Sequence, residues 1–195
     1  MQEDDVISDS APLIADEFVE YASIDTDEYQ VVTDTSLIIN NENLDENTIA
    51  ATQKISVLIA AGEMDILTSD ETTFLTYATP DTMHDLRDVY TEEELEKYKD
   101  YIYYVDMEVI RQKQAFYNSS DASDIANFKE AVYDHFDPES MTEPIPIAFC
   151  IEKSPKINEY FYVIDEVLPM GIIVNTKHFE TTKLFVEYLF EGLIP

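Results

Sequence analysis

At 195 residues, with 45% apolar and 12% aromatic side chains, the chain can bury one domain-sized core and is too apolar for wholesale disorder. Its 42 acidic residues against 11 basic ones give a formal charge of −31, which disfavours direct contact with nucleic acid or an anionic membrane surface. That charge leaves a solvated acidic surface, a cation or basic protein as partner, or mimicry of nucleic acid to block a DNA-binding enzyme. Cys150 is the only cysteine, so an internal disulfide is excluded, and its apolar surroundings suggest a small core hydrophobe. No window approaches 18 consecutive apolar residues, so no transmembrane helix is expected. No basic region precedes an apolar h-region, so no signal peptide is expected in the chain as given.

Residues 1–24 read as an acidic tail or linker and 25–195 as the domain. No Lys or Arg occurs before Lys54, against 14 Asp or Glu. Met1–Ser10 is too charged to bury, while Pro12–Tyr21 carries Leu13, Ile14, Phe18 and Tyr21 at the spacing of a short helix. Tyr29–Asn40 is β-branched and aliphatic, predicting a strand, or two broken at Asp34.

Leu44–Glu71 predicts a helix, a sharp turn and a buried strand. Asp45 is the expected cap, because its carboxylate can accept from first-turn N–H groups. Ala51, Ile55, Leu58, Ile59 and Gly62 form one stripe at helical spacing, and Gly62 is the expected stop, since glycine takes the left-handed C′ conformation without cost. Met64–Thr68 is the strand, and Asp70 caps a helix ending before Pro80.

Asp85–Tyr90 reads as a short extended or single-turn piece. Thr91 and Glu94 have capping-box spacing for a helix to about Lys99, and Tyr101–Val105 follows as a strand. Met107–Tyr117 is ambiguous and is assigned to strand, and Asp124–His135 to helix. Ile147–Ile151 is a buried strand, Ser154-Pro155 a helix start, MGIIV (170–174) a strand, and Glu180–Glu191 a helix stopped at Gly192. Alternating strands and helices predict an α/β domain with a mixed, partly parallel sheet flanked by helices.

The sequence offers little chemistry. There is no G-x-S-x-G elbow and no Cys with a nearby His. His84, His135 and His178 lie more than 40 residues apart and read as surface or capping residues. A phosphate cradle is missing, since Gly62, Gly171 and Gly192 match no nucleotide motif. Asp25 and Asp27 begin like a calcium loop, but Gln30 and Ser36 stand where glycine and glutamate are required. No cofactor and no metal are therefore expected, and carboxylate pairs occur too often by chance to imply a hydrolase. Ligands of open α/β sheets bind beyond the carboxyl ends of strands, which makes Ser69, Asp70 and Glu71 candidate ligand-binding residues, although Asp70 has a capping role to fill. Tyr103 and Asp106, on and just after the YIYYV strand, complete the candidate set.

Four pieces in order resemble the extracytoplasmic solute-binding proteins of ABC transporters, with the type II periplasmic-binding fold. They are residues 54–78 (KISVLIAAGEMDILTSDETTFLTYA), Asp85–Val89, Ile147–Tyr160 and residues 170–190 (MGIIVNTKHFETTKLFVEYLF). They span about half of the chain, which is similar to short members attached to Gram-positive cell surfaces. The resemblance implies one lobe of that fold with a reduced second lobe. It also implies a non-catalytic domain displayed outside the cytoplasm, held to the membrane only through a missing N-terminal anchor. Its partner would be a small molecule or a protein, and not nucleic acid. The rival is an acidic nucleic-acid mimic that inhibits a basic DNA-binding protein.

Overall fold

The computed structural model describes residues 4–41, 45–118, 131–163 and 167–194. In chain order these form α1 (Asp4–Tyr21), α2 (Glu46–Ala61), β1 (Ile66–Thr68), α3 (Glu71–Tyr77), α4 (Leu86–Val89), α5 (Glu92–Tyr98), β2 (Ile102–Asp106), α6 (Met107–Asn118), β3 (Pro144–Cys150), α7 (Pro155–Tyr160), β4 (Pro169–Ile172) and α8 (Phe179–Leu189).

Local chemistry sets most of these boundaries. Asp45 caps α2 by accepting from the Thr48 N–H, and Gly62 ends it with φ of 65°. Asp70 caps α3, Asp85 caps α4, Thr91 and Glu94 close a full capping box on α5, and Ser154 caps α7. Each cap satisfies N–H groups that a helix cannot pair internally.

The four strands form one sheet in the order β1-β4-β3-β2, and every pairing is antiparallel. The expected mixed, partly parallel sheet is therefore corrected, and with it the one-lobe architecture that required parallel neighbours. The reason lies in the connections. A parallel return needs a crossover long enough to carry the chain back along the strand. Between β3 and β4 the chain closes on itself: the Ile151 N–H donates to the Leu168 carbonyl at 3.0 Å, so β4 starts at the end where β3 stopped. Between β2 and β3 the chain leaves through α6 but comes back to its point of departure: Asp106 accepts from the N–H groups of Glu108, Thr142 and Glu143.

β1 lies at the edge of this sheet, paired only with β4, and not at its centre. Met107–Asn118 is helix α6 and not a strand. Its first turn is secured by the Asp106 carboxylate, which outweighs the β-branched residues within it. Among the described residues Tyr29–Asn40 joins no ladder, although it is also free of helix, turn and bend. Most of the expected helix Asp124–His135 lies outside the described residues.

The sheet is packed on both faces. On one, Phe149, Met170, Ile172 and Ile102 meet Ile14 and Phe18 of α1, Leu86 and Val89 of α4, and Val186 and Leu189 of α8. On the other, Leu67, Tyr103, Val105 and Ile147 meet Phe74 and Ala78 of and after α3, together with Met83. From Leu13 onward the acidic N-terminal region is thus part of the folded body: Ile14, Ala15 and Phe18 are buried. Glu17 fastens it, accepting from the Tyr188 hydroxyl and, at 3.2 Å, from Lys156.

Candidate functional site

Two features merit construction from their residues. The first is the cluster at the head of α3. Asp70 is committed to the Thr73 N–H at 3.0 Å, and the half-buried Ser69 hydroxyl donates to the Asp70 carbonyl at 3.2 Å. Glu71, the first residue of α3, turns toward the sheet and accepts from the Tyr103 hydroxyl at 2.8 Å. Tyr103 is fully buried, edge-on to Phe74, and its ring stacks on His135 at 4.4 Å with 9° between planes. Burial, and then the neighbouring Glu71 carboxylate, push its phenol far above the ordinary value, so Tyr103 stays a hydrogen-bond donor.

The structure therefore joins Glu71 and Tyr103, but the tyrosine has no free surface to offer a ligand. Tyr101 does not share its face. The strand begins at Ile102, Tyr101 sits in a short 3-10 turn, and it packs with Tyr104 on the opposite side of the sheet. Asp106 is buried and spends its oxygens on three backbone donors. Burial pushes its carboxyl upward, and the N–H groups of Thr142, Glu143, Glu108 and Val109 outweigh that and leave it below the usual value. Cys150 lies in the same layer, where burial, followed by the charges of Glu152 and Glu71, drives its thiol strongly upward. Such a thiol is not a nucleophile. His135, read from the sequence as a surface or capping residue, is half-buried, and its Nδ1 lies 2.6 Å from the Tyr104 carbonyl. Among the described residues, no group of three or more His, Cys, Asp or Glu is placed to hold a metal ion.

The second feature was not legible as a site. Residues 29–40 cross the body outside the sheet. The Tyr29 ring meets His178 edge-on at 6.3 Å, Asp34 binds Lys54 of α2 at 2.7 Å, and the Asn40 N–H donates to Thr48 at 3.1 Å. Lys54 first, and then Ser36, hold the Asp34 carboxyl down at about 2. Between this strap and the first turns of α2 lies an open groove of about 390 Å³, lined by Leu37, Ile38, Thr48, Ala51 and Lys54 among others. The sequence signal was present as apolar β-branched residues in Tyr29–Asn40, which composition alone assigns to a strand. Compared with protein-family models, with curated proteins and with solved structures, the chain matches none.

Proposed function

We propose that this chain is a non-catalytic binding domain whose partner is a cationic protein or peptide, engaged through its acidic surface. The observation that supports this most is the chain's uncompensated negative charge. Eleven basic side chains cannot neutralise 42 carboxylates, and the 53 residues before Lys54 contain no basic residue at all. Lys54, the cation in the groove, is already engaged by Asp34. Unpaired carboxylates steer an oppositely charged partner and discriminate against like-charged ones.

A thermal-shift screen tests the reading, with lysine-rich peptides set against sugars, single amino acids and divalent cations. A ligand at a hundred times its Kd stabilises by about 2.7 kcal/mol, which for a domain of this size is a rise of roughly 5–10 °C. Stabilisation by cationic peptides, lost at high salt, is the expected result. A sugar or amino acid acting alone would replace the proposal with small-solute capture.

A further inference from the structure

We infer that the outer face of α2 is a self-association surface, on which a second copy of this chain docks with its own α2 antiparallel across a two-fold axis at Gln53. Residues 47–62 contain no Asp or Glu, the longest such run in a chain with 42 acids. The next longest, 167–179 and 109–120, hold the buried strand β4 or the basic Arg111 and Lys113. Burial does not account for the run in α2. Thr48, Ala51 and Ile55 are buried against the body, but Ile49 and Val57 are 46% and 66% exposed, and Ala50, Gln53, Ala60 and Ala61 are exposed beside them. A helix with one buried side ordinarily turns charge to the other. Here the one charge on the helix after Glu46 is Lys54, which Asp34 neutralises at 2.7 Å.

Charge selects the occupant. A cationic partner is drawn to the carboxylates elsewhere on the surface and gains little from an uncharged face. Two copies of a chain at −31 repel unless they meet where neither presents a carboxylate, and α2 offers that meeting. A two-fold contact must also be complementary to itself. Ile49, Gln53 and Val57 follow at intervals of four, so they share one stripe, and Gln53 lies midway. With the axis at Gln53, Ile49 of each copy meets Val57 of the other, and the two Gln53 amides can pair. The small side chains of Ala50, Ala60 and Ala61 let the helices approach closely. The helix is about 24 Å long at 1.5 Å per residue, so the contact is at the small end of specific interfaces and the dimer is reversible. Salt separates this inference from the cationic-partner reading. Screening of the surrounding carboxylates strengthens the dimer, whereas it weakens the binding of a cationic peptide.

Sedimentation equilibrium of the full chain over a hundredfold range of concentration, at low salt and in molar salt, is the test. Val57→Glu and Ile49→Glu set a carboxylate into the contact. Tyr162→Glu, at an 89% exposed position away from α2, adds the same charge elsewhere, and melting curves establish that each variant is folded. The expected result is a monomer–dimer equilibrium that tightens at least threefold with salt. Its dissociation constant should rise at least tenfold with Val57→Glu or Ile49→Glu and less than twofold with Tyr162→Glu. Gln53→Cys chains under a thiol oxidant should crosslink at least tenfold faster than Tyr162→Cys chains, because a residue on the axis meets itself. A monomer at every concentration and salt overturns the inference and leaves the cationic-partner reading standing. So does a dimer that the α2 substitutions weaken no more than Tyr162→Glu does, or equal crosslinking by the two cysteine variants.

Discussion

Asp106→Asn separates a structural carboxylate from a ligand-binding one. Asp106 is 4% exposed. One carboxylate oxygen accepts from Thr142 at 2.7 Å, and the other from Glu108 at 3.0 Å and Glu143 at 3.1 Å. An amide in its place keeps one oxygen and turns an NH2 group against an N–H donor, so one charge-assisted bond is lost, worth about 1.5–3 kcal/mol. The surviving bonds weaken as they lose their charge, while the neutral amide is easier to bury. These two effects oppose one another, and the net expectation is a loss of about 2 kcal/mol, or a melting point lower by roughly 4–8 °C. The native carboxyl lies below its unfolded value, so its contribution is present above the unfolded pKa of about 3.9 and is lost as pH falls through the folded pKa. Urea unfolding followed by far-UV circular dichroism at pH 7, 4 and 3 should therefore show the gap between wild type and variant closing in acid. Comparing the two proteins at each pH cancels the titration of the other carboxylates. A variant within about 0.5 kcal/mol of wild type at pH 7, or a gap that ignores pH, would refute the assignment of Asp106 as the tie between β2, α6 and β3.

Three further substitutions probe the frame. Gly62→Ala places a Cβ on a residue with φ of 65° and within 3.2 Å of the Asn175 carbonyl, so a loss of about 1–2 kcal/mol is expected in chemical denaturation. Gly171→Ala sets a Cβ 2.4 Å from the sulfur of the fully buried Met83, and overpacking of this kind should cost about 1–3 kcal/mol. Tyr103→Phe removes the bond to Glu71 and should cost about 1 kcal/mol in chemical denaturation, and unchanged stability would refute a role for that bond in holding α3 to the sheet.

Helix ends were legible because their causes are local. Asp45, Asp70, Thr91 with Glu94, and Ser154 each act within three residues, and the left-handed turn at Gly62 needs only the absence of a Cβ. Other assignments failed where the cause was distant. Met107–Tyr117 carries strand-like residues, but the Asp106 carboxylate and the returning chain at Thr142 and Glu143 organise its first turn into a helix. Tyr29–Asn40 has strand composition, yet composition cannot supply the neighbouring strand a ladder needs.

The sequence by itself determined the burial of Ile147–Ile151, the stops and starts of most helices, and the chain's acidity. Sheet direction, the edge position of β1 and the course of residues 29–40 outside the sheet were decided only in three dimensions. Strand direction depends on where a connection returns, and a bond such as that from Ile151 to Leu168, or a carboxylate binding both ends of an excursion, leaves no periodicity in the chain. Whether a strand-like stretch finds a neighbouring strand is likewise a property of everything around it.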